Sequence, residues 1–264
     1  VDAPVLESFF EGEPSPQVRF TGNLVNHGTL DILGDGIIDF GFPAPRDPVL
    51  PDSGSLTNES DLSSGSLTNR SGATINATAG VGISSNLDII NEGTFNILSL
   101  LETELEGASV GIYGRLDNSG VLNVDPLSFL LIDAVRNSGS VNVLEGALLQ
   151  TPSFELDQGE IHFELGGILD LLDMIDLVVG DGSSITGNGA IQSDGTVFVE
   201  SGGIIAPGNS AGALDIKGNL TLFDGSILNI ELSGSNQDEF DFIYVAGDLT
   251  VGGLTPTLGV AAGS

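Results

Sequence analysis

The stretch that decides the fold spans residues 187–232 and reads GNGAIQSDGTVFVESGGIIAPGNSAGALDIKGNLTLFDGSILNIEL. Short segments in it, such as Thr196–Val199 and Asn219–Leu222, alternate apolar with polar residues, and glycine-rich corners separate them. Alternation at a period of two residues predicts β-strands with one buried face. A sharp interruption, APGNS at residues 206–210, lies between two of these segments. The stretch therefore predicts short strands joined by tight corners.

The same pattern recurs along the chain when the sequence is aligned on Gly28, Gly93, Gly120, Gly139 and Gly195. In each copy the residues four before, two after and four after the glycine are apolar. These positions are Leu24, Leu30, Ile32, Ile89, Phe95, Ile97, Leu116, Leu122, Val124, Val135, Val141, Val143, Ile191, Val197 and Val199. We expect their side chains to form the core, and we expect each glycine to give a corner the backbone freedom it needs.

The spacing of the copies predicts the architecture. Gly120 and Gly139 are 19 residues apart, and Gly159 follows after another 20. A period near 20 residues, made of short strands without helices between them, indicates a solenoid whose coils bury their apolar faces on one another. We therefore predict an all-β fold, a parallel β-helix (β-solenoid) of about a dozen coils.

Asparagines occupy two further columns of the repeat. One column, two residues before the glycine, holds Asn26, Asn91, Asn118 and Asn137. Asparagine bonds neighbouring backbone readily, so these are predicted corner residues rather than sugar-binding amides. The other column contains Asn96, Asn123 and Asn142 at outward positions, and it predicts an amide ladder that stabilises the stacking of the coils.

The wording GGIIAPGNSAGALDIKGNLTL at residues 202–222 resembles the strand repeat of bacterial autotransporter passengers and related surface proteins. The resemblance is close over residues 187–232 and suggestive elsewhere. It implies an extended, secreted, right-handed β-helix at the bacterial cell surface. It implies nothing about catalysis.

Composition narrows the classes of partner. The chain has 264 residues, of which 37 are acidic and 6 basic, for a net charge of −31. The acidic residues are spread along the chain, so nucleic acid and anionic membranes would be repelled. There is no cysteine, which excludes disulfides and thiolate sites. No apolar run approaches the roughly 20 residues needed to span a bilayer, so we expect no membrane insertion by this segment.

Prolines mark the departures from the repeat. More than half of them lie in residues 11–16 (EGEPSP) and 41–51 (GFPAPRDPVLP). Because proline cannot donate to a β-ladder, these segments are predicted loops outside the stack. We therefore assign residues 1–19 to an N-terminal arm or cap and residues 20–264 to the solenoid.

Catalytic chemistry finds little support. Polysaccharide lyases and hydrolases with β-helix folds need clustered carboxylates, commonly with an Arg or Lys beside them. The six basic residues here are scattered over different corners of the repeat. We expect no enzyme and no catalytic residues, and a polysaccharide-active enzyme is the remote alternative.

Metal binding is also an open alternative. Carboxylate oxygens suit Ca²⁺, and the densest acidic cluster, Asp238, Glu239 and Asp241, follows a polar turn at residues 233–237. No EF-hand spacing accompanies the cluster. We expect no cofactor, and if Ca²⁺ binds at a dedicated site, these three residues are the candidate ligands.

The favoured function is therefore that of a secreted structural protein of the cell surface or extracellular matrix. Its partners would be further copies of itself. The alternative is an autotransporter-type adhesin passenger that binds glycans or surfaces through loops such as residues 41–51.

Assembly would use the ends of the stack, where strand edges are unpaired. The residues expected to take part are Val5, Leu6, Phe9 and Phe10 near the start of the chain, and Leu249 and Val251 near its end. If the first segment adds a strand to the last coil of another copy, a filament results. If it folds back on its own first coil, the protein is a monomer, and the sequence leaves both outcomes open.

Overall fold

The computed structural model describes residues 17–19, 24–32, 36–40, 66–78, 80–85, 88–99, 109–172, 175–208, 212–234, 236, 239–252 and 257–261. Within these ranges there are strands and turns but no helix, which confirms the all-β prediction. The predicted N-terminal segment with Val5, Leu6, Phe9 and Phe10 and the predicted loops 11–16 and 41–51 lie outside the described residues.

The described residues form 26 strands, which are short because each covers one side of a coil. In chain order they are β1 (Gln17–Arg19), β2 (Leu24–Asn26), β3 (Thr29–Ile32), β4 (Gly36–Phe40), β5 (Leu67–Asn69), β6 (Thr74–Thr78), β7 (Val81–Ser85), β8 (Ile89–Asn91), β9 (Thr94–Leu98), β10 (Ser109–Asn118), β11 (Val121–Val124), β12 (Phe129–Asn137), β13 (Ser140–Val143), β14 (Leu148–Thr151), β15 (Phe154–Leu156), β16 (Glu160–Leu171), β17 (Leu177–Val179), β18 (Ser184–Gln192), β19 (Thr196–Val199), β20 (Ile204–Pro207), β21 (Ala213–Ile216), β22 (Asn219–Leu222), β23 (Ile227–Glu231), β24 (Phe242–Val245), β25 (Leu249–Val251) and β26 (Thr257–Ala261).

The strands stack in parallel on three faces, and the chain visits the faces in turn. The first face stacks β1, β4, β7, the starts of β10 and β12, β14, the ends of β16 and β18, β21 and β24. The second face stacks β2, β5, β8, the ends of β10 and β12, and β15, and continues with the sheet β17, β19, β22 and β25. The third face stacks β3, β6, β9, β11, β13, the starts of β16 and β18, β20, β23 and β26. The fold is therefore a parallel β-solenoid.

The number of coils differs from the prediction. The regular part of the stack, from β10 to β23, has about six turns, so the expected dozen is wrong. The error came from applying one period to the whole chain. Leu30 pairs with Ile75, and Leu228 pairs with Leu258, so these coils take 45 and 30 residues instead of about 20. β1 already pairs with β4, which places Gln17–Arg19 in the first ladder.

The core is a continuous column of apolar side chains inside the coils. Of the fifteen apolar positions in the aligned copies, thirteen are buried, and Leu24 and Leu30 in the first described coil pack partly buried against that core. The copy at Gly195 differs in one respect. Its corner joins the first face to the second, whereas the corner at Gly120 joins the second to the third.

Close approach of the coils explains the glycines at these corners. A Cβ on Gly120 would overlap the carbonyl oxygen of Gly93, and a Cβ on Gly139 would overlap that of Gly120. None of these three glycines has a positive φ. The expected reason, backbone freedom, is therefore wrong here: glycine is needed because the neighbouring coil leaves no room for a side chain.

Candidate functional site

A buried ladder of asparagines runs along the second face. The side-chain nitrogen of each donates to the side-chain oxygen of the asparagine in the next coil, at 2.6–2.9 Å. The ladder contains Asn26, Asn69, Asn91, Asn118 and Asn137. All five are nearly inaccessible to solvent. The predicted corner asparagines therefore cross-link the coils from inside and present no amide to a ligand.

A second amide ladder runs along the outside of the third face, as predicted. Asn142 donates to Asn123, Asn123 to Asn96, and Asn96 to Asn76, at 2.7–2.8 Å. Asn76 in turn donates to a carboxylate oxygen of Asp31 at 2.7 Å. The donors point towards the start of the chain here and towards its end in the buried ladder. The two ladders tie the same coils together.

Both ladders end at the same level of the stack. Leu156 takes the place of the next buried asparagine, and His162 takes the place of the next outer one. His162 Nδ1 lies 2.8 Å from the Thr186 hydroxyl, which donates to Glu160 at 3.0 Å. Beyond this level the coils are held by their backbone ladders and apolar core.

The APGNS interruption forms a corner between the third and first faces, stapled by its neighbours. Gly208 has a φ of +81°, and its amide donates to the Gly187 carbonyl at 2.9 Å. Ala213 N donates to Asn188 Oδ1 at 2.7 Å, so the preceding coil holds the exit from the corner. Asp241 holds it from the following coil, because its Oδ1 accepts from Gly212 N at 2.7 Å.

The candidate calcium ligands therefore have other partners. Asp241 is buried, and its second oxygen accepts from Glu231 N at 2.8 Å. Glu239 accepts from the backbone and side-chain nitrogens of Asn236, both at 2.9 Å. Asp238 lies outside the described residues. Among the residues that are described, no three His, Cys, Asp or Glu side chains converge to hold a metal ion.

The last described coil leaves part of the core uncovered. Leu249 and Val251 are the register partners of Leu220 and Leu222 and continue the same inward columns. Leu220 is 2% exposed and Leu249 is 58% exposed, because the former is covered by the next coil. The two predicted assembly residues of this end thus form an exposed apolar edge.

A groove of about 520 Å³ lies on the outside of the first face. Its floor is made of small residues, among them Gly189, Ala190 and Ala213, on two adjacent coils. Leu165 rises on one side and Phe242 on the other, and both are exposed. Outward positions that carry Leu148 and Ile168 two and one coils earlier carry Ala190 here, so the depression results from missing side-chain volume.

Polar side chains line one end of this groove. Lys217 Nζ lies 3.5 Å from Asp215 Oδ2 and 6.0 Å from the centre of the Tyr244 ring. Gln192 lines the same end. The ammonium group is thus held between a carboxylate and an aromatic face, the geometry of a cation–π contact.

Two titratable groups elsewhere are perturbed. Hydrogen bonding and charge from Asp117, with a further contribution from Asp88, raise the pKa of Arg115. Burial raises the pKa of the Asp125 carboxyl. Both lie away from the groove, and neither is paired with a nucleophile.

Comparison with protein-family models, curated proteins and solved structures found no match for this chain. Within the described residues there is also no helix able to cross a membrane. The parallel solenoid is thus established by the structure, without a relative.

Sequence reasoning missed the groove and the staple of the APGNS corner. The groove had a signal in the sequence: Gly189, Ala190 and Ala213 stand at positions where outward residues of other coils are larger. The staple had none, because Asn188 and Asp241 lie 25 and 29 residues from the amides they hold.

Proposed function

We propose that this chain is a structural module of a secreted bacterial surface protein, and that it joins end to end with further copies through its last coil. The observation that carries the proposal is the exposed apolar edge at Leu249 and Val251. Large exposed apolar residues that continue a core column favour a covering partner. The resemblance of residues 187–232 to passenger repeats supports the location at the cell surface.

A second copy fits this edge because the other end of the stack is complementary to it. β25 pairs with β22 on one side and has no partner strand on its other side among the described residues. β2 is the first described strand of the same face, and it pairs with β5 alone. Adding β2 of one copy to β25 of another would extend a parallel ladder and place Leu24 over Leu249. Such a contact does not close on itself, so it yields a filament.

Charge would control this assembly. Each copy carries a net charge of −31, and the described ion pairs are all exposed, so repulsion between copies is long-ranged at low salt. The screening length falls from about 30 Å at 0.01 M to about 8 Å at 0.15 M. Filaments should therefore form as salt rises.

The experiment compares Leu249→Asp with Thr250→Asp, which adds the same charge to the same strand at an exposed outward position. Negative-stain images and sedimentation velocity are recorded over a salt series. The wild type and Thr250→Asp should form filaments, and Leu249→Asp should stay monomeric. A wild type that is monomeric at every salt concentration, or filaments that survive Leu249→Asp, would refute the proposal. The part that Val5, Leu6, Phe9 and Phe10 play stays a prediction, which deletion of residues 1–16 tests.

A further inference from the structure

We propose that the groove on the first face is a binding site for a neutral oligosaccharide, with one pyranose ring packed against Phe242 and its hydroxyls bonded to Asp215, Lys217 and Gln192. This site is separate from the apolar edge at Leu249 and Val251. The inference goes beyond the structural role and does not depend on end-to-end assembly.

The shape of the groove is suited to a flat ring. Gly189, Ala190 and Ala213 make a shallow floor, and Leu165 and Phe242 stand as walls on opposite sides. A volume of about 520 Å³ is within the range of small-molecule sites. An oligosaccharide can extend from it in either direction, because the groove lies on the open outer side of the sheet.

The aromatic residues are placed to contact the apolar side of a sugar. Phe242 is 41% exposed and lines the groove. Phe223 is exposed to the same extent, but its ring stacks on Phe198 with the centroids 5.9 Å apart, on the second face. Phe242 therefore offers a ring face beside polar groups, and Phe223 does not. An amphipathic ligand with one apolar and one hydroxylated side matches this arrangement.

The polar end of the groove can bond vicinal hydroxyls. Asp215 is an acceptor, Lys217 a donor, and Gln192 both. Tyr244 lies 6.0 Å below the Lys217 ammonium, and Asp215 lies 3.5 Å from it, so the ammonium is positioned before a ligand arrives. Preorganised groups lose little entropy on binding, which favours even a small ligand.

Charge selects a neutral ligand over an acidic one. Lys217 is the only cation among the described residues that line the groove, and Asp215 already pairs with it. The chain as a whole carries −31, so an acidic polysaccharide would be repelled on approach. A neutral sugar avoids this repulsion and still satisfies the same hydrogen bonds.

The backbone excludes the commonest mode of peptide binding at this position. β21, which forms part of the floor, pairs with β18 on one side and β24 on the other. An extended peptide would need an unpaired strand edge to add to. Recognition here must therefore use side chains on the face of a sheet.

The test uses the full chain and a panel of defined oligosaccharides. Maltohexaose, cellohexaose and mannohexaose are the neutral probes, and a hexagalacturonate is the acidic one. Binding is measured by isothermal titration calorimetry, with detection to Kd values of about 1 mM. Phe242→Ala and Lys217→Ala are compared with Phe223→Ala, an equally exposed phenylalanine outside the groove, and melting curves show whether each variant is folded.

We expect at least one neutral hexaose to bind and the hexagalacturonate not to bind. Phe242→Ala and Lys217→Ala should weaken that binding at least about tenfold, and Phe223→Ala should change it less than about twofold. Ala190→Phe, which fills the floor without removing any polar group, should abolish it. The proposal is overturned if no neutral probe binds, if the acidic probe binds better, or if Phe223→Ala weakens binding as much as Phe242→Ala. Because binding is measured on the monomer at low salt, failure of the filament experiment leaves these outcomes unaffected.

Discussion

Replacing Asn118 by alanine should destabilise the solenoid far more than the same change at Asn123. Both amides sit in ladders of nearly the same geometry. Asn118 donates to Asn137 at 2.7 Å and accepts from Asn91 at 2.6 Å. Asn123 donates to Asn96 at 2.8 Å and accepts from Asn142 at 2.7 Å. The difference between them is burial, since Asn118 is 1% exposed and Asn123 is half-buried on the outside.

The expected magnitude follows from the bonds that each change breaks. Asn118→Ala removes two amide–amide bonds and the bond from Nδ2 to the Ser140 carbonyl at 3.1 Å. Each bond contributes about 1 kcal/mol, and water cannot replace the partners at a buried site, so the loss should be about 3 kcal/mol. At Asn123 water can take over both partners, and the loss should be below about 1 kcal/mol.

An isosteric variant separates lost hydrogen bonds from lost volume. Asn118→Asp keeps the acceptor oxygen, but at neutral pH its carboxylate faces the Asn137 oxygen that Nδ2 used to serve. A buried charge without a donor should cost more than the alanine. Protonation restores a donor, so the damage caused by Asn118→Asp should shrink as pH falls, whereas that of Asn118→Ala should not.

Urea unfolding followed by circular dichroism gives the overall free energies, and amide hydrogen exchange shows whether the loss is confined to neighbouring coils. Local loss is expected, because the stability of a solenoid is close to a sum over repeats and their interfaces. The reasoning is refuted if Asn118→Ala and Asn123→Ala differ by less than about 0.5 kcal/mol, a difference within the usual scatter of such comparisons.

Two further predictions concern a corner and a carboxyl group. Gly120→Ala should cost about 1–3 kcal/mol in urea unfolding, because its Cβ would overlap the Gly93 carbonyl, whereas Gly28→Ala should be nearly neutral, since nothing lies within 4 Å of that Cβ. Equal losses would show that the corner glycines are not needed for close packing. Asp125→Asn should stabilise the protein at neutral pH and lose that advantage at low pH. Burial raises the native pKa of Asp125, so the native state binds its proton more tightly and this group's contribution falls as pH rises through that pKa. Melting curves of both proteins at about pH 3 and pH 7 test this, and an advantage that grew on acidification would contradict it.

Much of the fold could be predicted from the sequence, because its signals are local. Side chains of a strand alternate between two sides, so the apolar residues at Phe95, Ile97, Leu122 and Val124 identify the buried side without any knowledge of neighbouring coils. The outer amide ladder could be predicted for a similar reason. Asn96, Asn123 and Asn142 occupy the same place in their copies, and parallel stacking in register brings equal places together.

The number of coils, the role of the buried asparagines and the groove were decided by the tertiary structure. Insertions change how many residues a coil uses without changing the pattern of its strands, so one period measured at Gly120 and Gly139 could not be extended to the whole chain. The burial of Asn118 depends on the path of the backbone through a corner, which two residues of spacing do not determine. The groove exists because outward positions of adjacent coils carry Ala190 and Ala213 while Phe242 stands one coil further along. Such a surface arises from residues that become neighbours only when the coils stack, since their side chains point away from the core that gives the repeat its pattern.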